Sequence, residues 1–226
     1  MTDVERRTRG PARERLTRAE RRARILDAAA QAFVEEGYDR ASMGQIADLA
    51  GITKPVIYHH FASKRDLYIA LIEFYRGELL AFMGKRAVNA TSPDGPLAGG
   101  LEAFLEFVET HPRAWRILFR DPPPSDEAIV EAHLRVQDRA RAGIVTLMAA
   151  ADTAEHPADP TGDELVTERE MAAEVIKAAA DGLASWWYEH REVPREHLVY
   201  VLMNVLWIGF DRFGAGERWG DGTPAG

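Results

Sequence analysis

The chain contains no cysteine in its 226 residues. Disulfide bonds, thiolate metal sites and cysteine nucleophiles are therefore excluded. Long apolar runs are also missing, because the longest, from Val199 to Phe210, is too short to span a bilayer and contains Asn204. The basic N-terminus is not followed by the apolar segment of a secretory signal. We therefore expect a cytoplasmic protein with no membrane partner.

The motifs of common enzyme sites are absent as well. There is no glycine-rich phosphate loop, no G-x-S-x-G and no H-E-x-x-H. His59 and His60 are adjacent, and adjacent residues on a helix point about 100° apart, which argues against a shared metal ion. We expect no enzyme, no metal site and no cofactor. The competing interpretation is a small all-α enzyme that carries a vestigial DNA-binding motif.

Charge is divided unevenly along the chain. The net charge is −8, which alone argues against nucleic acid as a partner. Residues 1–66, however, hold 13 Lys+Arg against 10 Asp+Glu, whereas residues 67–226 hold 15 against 26. A basic front and an acidic back indicate two functions in one chain.

Apolar residues recur at helical spacing, and no strand-like alternation appears, which predicts an all-α fold. We expect an N-terminal three-helix bundle with a helix-turn-helix, followed by a larger helical domain. The predicted divisions are a flexible basic arm at 1–17, the helix-turn-helix domain at 18–66, the second helical domain at 67–214, and a disordered tail at 215–226. Predicted helix boundaries include a cap at Ser125 and a short helix from Ala114 to Phe119.

A helix-turn-helix is predicted around Gly51. Gly51 suits the left-handed backbone at a helix end. Thr53 is a suitable N-cap for the next helix, and Pro55 is tolerated in its first turn. Ile52 and Ile57 have the spacing of a hydrophobic staple. Two short helices joined in this way can place the second helix in a DNA major groove.

A set of spaced residues runs through about 50 positions around this motif: Ile25, Leu26, Ala28, Ala29, Phe33, Gly37, Tyr38, Ser42, Ile46, Ala47, Ala50, Gly51, Ile52, Ile57, Tyr58, His60, Phe61, Lys64 and Leu67. With these residues the segment resembles the DNA-binding region of the TetR family of bacterial regulators. The resemblance implies that residues 18–66 bind DNA and that residues 67–214 bind a ligand and form a dimer. Several spaced features agree at once, which is stronger than a lone helix-turn-helix pattern. The remaining two-thirds of the chain resembles the family only in length and helical character.

The resemblance and the spacing together give a set of candidate DNA contacts. These are Ser42, Met43, Gly44, Thr53, Lys54, Pro55, Val56, Tyr58, His59, His60 and Lys64. Lys54 suits a guanine or a phosphate. Tyr58, His60 and Lys64 lie where the resembling family contacts the DNA backbone, and the amides that open the helix at Ser42 can bind a phosphate. The arginines of residues 1–17 form either a solvated tail or an arm that contacts DNA.

The back of the chain has candidates for a ligand site and for a dimer interface. The resemblance places a ligand cavity among helices that carry Phe104, Phe107, Trp115, Phe119, Trp186 and Trp187, with His133 and Gln137 as polar groups; ordinary core packing is the alternative for each. The last predicted helix is apolar on two faces, which implies burial from two directions. Its candidate interface residues are Leu198, Val199, Leu202, Met203, Leu206 and Phe210.

The expected function is that of a ligand-responsive transcriptional regulator. The resemblance implies a repressor that binds a palindromic operator in double-stranded DNA as a homodimer and is released by an unknown small molecule. The ligand would shift the fourth helix and so change the separation of the two recognition helices. The alternative is a constitutive or architectural DNA-binding protein without an effector.

Overall fold

The computed structural model describes residues 16–87, 95–120, 126–155 and 163–214, and every regular element within them is helical. This confirms the all-α prediction. The helices are α1 (Arg18–Glu36), α2 (Met43–Leu49), α3 (Lys54–His60), α4 (Lys64–Ala87), α5 (Gly95–Thr110), α6 (Pro112–Trp115), a π-helix (Arg116–Arg120), α7 (Glu127–Glu155), α8 (Asp163–Glu189) and α9 (Arg195–Gly214).

No helix in this part of the chain is both long and apolar enough to cross a membrane. Most of the predicted basic arm, the predicted C-terminal tail and the predicted cap at Ser125 lie outside the described residues. At the start of α7 the described residue Asp126 takes the capping role, since its Oδ1 accepts a hydrogen bond from the Ala128 amide at 3.1 Å.

The N-terminal bundle consists of α1, α2 and α3, and side chains cap the first two of these helices. Thr17 and Glu20 form a capping box at the start of α1, and Ser42 and Gln45 form another at the start of α2. Gly51 has a φ of 64°, the left-handed geometry expected at this turn. Thr53 occupies the N-cap position of α3, but its side chain makes no capping hydrogen bond, so the predicted cap is only positional.

Helix α4 joins the bundle to the second domain. Its first turns pack on α1, where Tyr68 meets Phe33 and Tyr38 edge to face at centroid distances of 4.9 and 5.1 Å. Its later turns pack against α5 and α7. One continuous helix therefore packs against both parts of the molecule, and their buried residues form one hydrophobic cluster.

The second domain is built from α4 to α9, with α7 packed on α8 and α9 packed on α5. Arg195, in the first turn of α9, ties that helix to α5 by ion pairs with Glu102 and Glu109. The predicted helix from Ala114 to Phe119 is corrected by the structure. The α-helical part ends at Trp115, and the chain continues as a π-helix.

Candidate DNA-binding surface and effector cavity

The two sides of α3 differ in burial. Ile57 and the following Phe61 are buried in the bundle. Val56 and His60 are half-buried at its edge. The predicted contacts that are exposed on the outer side are Thr53, Lys54, Pro55, Tyr58 and His59. The inner side of α3 is anchored in the bundle core by Ile57, and the helix ends at the buried Phe61. Its outer side therefore presents hydrogen-bond donors and apolar groups in a fixed arrangement.

The start of α2 holds the predicted phosphate-binding amides of Ser42, Met43 and Gly44. Ser42 is exposed, but its Oγ accepts a hydrogen bond from the Gln45 amide and its own amide donates to Gln45 Oε1. The Met43 side chain is only 6% exposed and belongs to the core. A DNA contact by Met43 therefore involves its backbone amide, which is the contact predicted for it from the sequence. Gly44 is half-buried.

The sequence predicts that Lys64 contacts a DNA phosphate, but in the structure its ammonium group binds backbone carbonyls of the same chain. Its Nζ donates to the backbone carbonyls of Tyr38, Asp39 and Ala41 at 2.7, 3.1 and 3.1 Å, and it lies over the Tyr38 ring at 4.5 Å. An ammonium group has three N–H donors, and this arrangement uses all three. A phosphate contact would have to replace one of them. Lys64, at the start of α4, thus holds the loop between α1 and α2 in place through these hydrogen bonds.

Arginines of α1 extend the basic surface, and the sequence interpretation missed them. The pKa of His60 lies below its usual value, first because of burial and then because of the positive charges of Arg18, Arg21 and Arg22. The guanidinium of Arg22 also covers the Phe61 ring at 5.1 Å. Their spacing of three and four residues on one helix was the available signal. A phosphate near these groups would be attracted by several cations at once.

A partly open cavity of about 290 Å³ lies between α4, α5, α7 and α8 of the second domain. This volume is at the lower end of small-molecule sites. The walls are mostly apolar. The lining residues of α4 and α7 are Arg76, Leu79, Leu80, Met83, Gly84, Val136, Arg139, Ala140, Gly143, Ile144 and Leu147; the others are Leu97, Gly100, Leu101, Phe104, Phe119, Ile176, Lys177, Ala180 and Asp181.

Two of the six predicted aromatic residues line this cavity, Phe104 and Phe119, and their rings meet edge to face at 5.7 Å. The other four do not. Phe107 is fully buried and stacks on His111, and Trp115 is buried against Tyr188.

The two consecutive tryptophans of α8 also lie away from the cavity. Trp187 is buried and donates a hydrogen bond from Nε1 to the Val193 carbonyl at 2.7 Å. Trp186 is 45% exposed and stacks on His190, with the ring centroids 4.0 Å apart. Helical spacing placed these residues on apolar faces but did not indicate which face borders empty space.

His133 and Gln137 are placed between helices and outside the cavity wall. His133 is 6% exposed, its ring lies 6.2 Å from that of Tyr68, and its Nδ1 is 3.3 Å from the Leu118 carbonyl of the π-helix. Its Nε2 and the Oε1 of Gln137 are buried without a partner among the described groups. Burial lowers the pKa of His133, so this imidazole is neutral at neutral pH.

The predicted dimer residues on α9 are corrected in part. Leu198, Leu202 and Leu206 are at most 5% exposed and belong to the core of their own chain. Val199 and Met203 are half-buried and pack against that core. The Phe210 side chain is not among those the structure describes.

The exposed apolar side chains of α8 and α9 are different residues, which we call the α8–α9 stripe. They are Met171, Val175, Trp186, Tyr200, Val201 and Val205. On α8 the spacing of four and eleven residues keeps its three members on one face. Sequence spacing did not indicate which face of these two helices is exposed.

No three His, Asp or Glu side chains within the described ranges come together as a metal site would require.

Comparisons with known proteins agree with this arrangement. Residues 25–71 match the family described as bacterial regulatory proteins, tetR family, and residues 93–209 match the tetracyclin repressor-like C-terminal domain. The transcriptional activator FasR of Mycolicibacterium smegmatis is 30% identical over 195 residues, which cover 86% of this chain and 85% of the relative. The repressor KstR2 of Mycobacterium tuberculosis is 33% identical over 101 residues, 45% of this chain and 50% of that protein.

Solved structures share the fold. A TetR-like regulator from Rhodococcus sp. RHA1 has a TM-score of 0.70 and 26% identity, covering 87% of this chain and 99% of that one. The regulator FadR of Bacillus subtilis, in complex with stearoyl-CoA, has a TM-score of 0.67 at 16% identity, with coverages of 87% and 99%.

Proposed function

Since the chain belongs to the TetR family of bacterial regulatory proteins, and is therefore a DNA-binding transcriptional regulator, we propose that it binds a palindromic operator as a homodimer and that a small molecule in its cavity releases it. The observation that carries this proposal is the course of α4. That helix begins at Lys64, which is fastened to the DNA-binding bundle, and its residues from Arg76 to Gly84 line the cavity. A molecule that moves α4 therefore moves the bundle.

The DNA contacts of the proposal lie on the outer side of α3 and the first turns of α1. Lys54, Tyr58 and His59 are exposed on α3, and Arg18 and Arg22 are exposed beside them. Phosphate contacts by cationic and hydroxyl groups supply affinity, whereas contacts to base edges supply sequence preference. Lys54 is the exposed residue of α3 that best fits a guanine edge.

The homodimer of the proposal is formed through the α8–α9 stripe. Val205, Tyr200 and Met171 are 68%, 62% and 58% exposed, large values for residues of this type that lie on neighbouring helices. An exposed apolar patch of this kind marks an interaction site. In the proposed dimer a two-fold axis through the stripe relates the two copies of α3, and a palindromic operator has the same symmetry.

Two relatives suggest opposite directions of regulation. FasR, which matches over most of the chain, is an activator, and KstR2, which matches over less than half, is a repressor. We retain release by ligand, and hence repression, as the main proposal. Activation is the second candidate, and the long match to FasR favours it.

The operator is tested by selecting bound fragments from sheared DNA of the source genome with the purified full-length chain. The expected result is a footprint of two inverted half-sites about one helical turn apart, centre to centre. Tyr58→Ala should lower the affinity for the selected site. It should not lower the melting temperature, because Tyr58 is exposed. A footprint with a single half-site, or no enrichment, would contradict the dimeric operator. Tight operator binding that no small molecule alters would favour a constitutive DNA-binding protein.

A further inference from the structure

The polar groups of the cavity are few and mostly cationic. Of the lining residues, only Arg76, Arg139, Lys177 and Asp181 carry polar side chains. Three of these are positive and one is negative. An apolar pocket with a small number of oriented polar groups selects its ligand through those groups, so their existing partners decide what a ligand must supply.

Two of the three cationic side chains have their charge stabilised without a ligand. Lys177 Nζ lies 3.0 Å from Glu174 and 4.0 Å from Asp181, so its charge is balanced by carboxylates of its own helix. Arg139 is exposed to solvent. Neither group requires a partner from inside the cavity.

Arg76 differs from both. Its Nη2 pairs with Glu73 one turn earlier on α4, but its Nε is buried and has no hydrogen-bond partner among the described groups. A buried donor without an acceptor is costly, and a guanidinium donor more so than a neutral one. The planar guanidinium matches the oxygens of a carboxylate or phosphate. The lining position and the unpaired N–H of Arg76 point to an acceptor that belongs to the occupant.

The position of Arg76 also orients that occupant. Arg76 is the first lining residue of α4, at the end of the cavity nearest the DNA-binding bundle. The lining continues through Leu79, Leu80 and Met83 to Gly84, a rise of about 12 Å along the helix. The facing lining of α7 from Val136 to Leu147 spans about 16 Å. The cavity therefore has a cationic end and an elongated apolar body.

We propose that the effector is an elongated amphiphile with an anionic, oxygen-bearing head, in the simplest case a carboxylate, and that Arg76 Nε donates a hydrogen bond to that head. The apolar chain of the effector lies between α4 and α7. Glu73 and Asp181 do not exclude the anion, since each already has a cation beside it, Arg76 Nη2 and Lys177 respectively. This inference rests on the proposed use of the cavity as the effector site.

The test compares three probes with the same chain and different heads: dodecanoate, dodecanol and dodecylammonium. Each is titrated into the full-length protein by calorimetry, below its micelle-forming concentration. We expect dodecanoate to bind about ten- to hundred-fold more tightly than dodecanol, since a hydrogen bond to a charged group contributes that factor. Dodecylammonium should bind most weakly, because its charge repels Arg76.

Arg76→Gln should remove the preference for dodecanoate and leave the affinity for dodecanol within about two-fold. Retained dodecanol binding also shows that the variant is folded. Arg141→Gln is the matched control: Arg141 likewise pairs with a carboxylate three residues earlier, Asp138, but does not line the cavity. This control should keep the wild-type preference.

Equal binding of dodecanoate and dodecanol would overturn the proposal, and so would an equal loss of both in Arg76→Gln or failure of all three probes to bind. Operator affinity is measured separately. If dodecanoate binds through Arg76 but leaves operator affinity unchanged, the recognition by Arg76 stands and the proposed release by ligand fails.

Discussion

Asp181 is a carboxylate in the wall of an apolar cavity, and its protonation is linked to the stability of the fold. Burial raises its pKa to about 6 from an ordinary value of 3.8, and Lys177 only partly opposes this effect. The folded chain thus holds the proton more tightly than the unfolded chain. The contribution of Asp181 to stability is fully present below about pH 4 and is lost as the pH rises through about 6.

Asp181→Asn should therefore stabilise the protein at about pH 8 by about 1–2 kcal/mol, because it removes the cost of a half-buried charge. The gain should disappear at about pH 4. Urea unfolding at both pH values measures the difference. An equal gain at both would show that the effect does not come from the titration of Asp181.

Lys64 and Lys54 give opposite predictions that separate a structural lysine from a DNA contact. Lys64→Met should lower the free energy of unfolding by about 1–3 kcal/mol, since three backbone carbonyls lose a charged donor. The salt dependence of operator binding should stay unchanged. Lys54→Met should do the reverse: the melting temperature stays the same, and the salt slope falls by about one unit.

Thermal unfolding and operator titrations at several salt concentrations measure both variants. If Lys64→Met lowers the salt slope and leaves the melting temperature unchanged, Lys64 contacts a phosphate in the complex and its three internal hydrogen bonds are dispensable.

Residue roles were predictable where local pattern determines them. Ile57 and Phe61 lie inside the bundle and Tyr58 lies outside it, as the helical spacing of these residues indicates. The partners of Lys64 are 23 to 26 residues earlier, and the unpaired Nε of Arg76 depends on how α4 packs against the rest of the second domain. Sequence spacing along one helix carries no information about such contacts.

At the scale of elements, α8 and α9 show what periodicity leaves undecided. Two apolar faces were visible on α9, but not which one the same chain would cover. The structure buries the face of Leu198, Leu202 and Leu206 against its own core. The π-helix after Trp115 was likewise missed, because a single widened turn leaves no distinct spacing in a five-residue segment.

The α8–α9 stripe leads to a test of the homodimer. Val175→Glu and Val205→Glu each place a charge where the partner would desolvate it, so we expect monomers in sedimentation experiments with little change in helical content. Leu134→Glu is the control, because Leu134 is 58% exposed on α7 outside the stripe. This variant should behave like the wild type.

Dimers in both stripe variants would contradict the proposed interface. Leu202→Glu should instead unfold the chain, since it introduces a charge into the core without a partner.

At the scale of the whole molecule, α4 joins a basic DNA-binding bundle to an acidic domain with a cavity. The fold class, the two-part organisation and the family were all predictable, because the bundle has strong local signals and the resemblance extended them. The position and chemistry of the cavity were not predictable from the sequence, because they depend on how four helices pack and on the space that they leave between them. Coupling between cavity and bundle requires an effector that binds the two arrangements of α4 with different affinity.

The most direct test of this coupling is reciprocal. The affinity of the tightest-binding of the three amphiphiles is measured by calorimetry, first with the free protein and then with the protein saturated by its selected operator duplex. Thermodynamic linkage requires the two effects to be equal. The operator must lower the affinity for the amphiphile by the same factor by which the amphiphile lowers the affinity for the operator, typically about 5- to 150-fold. We expect this matched weakening. Equal affinities of the amphiphile for free and operator-bound protein would contradict it.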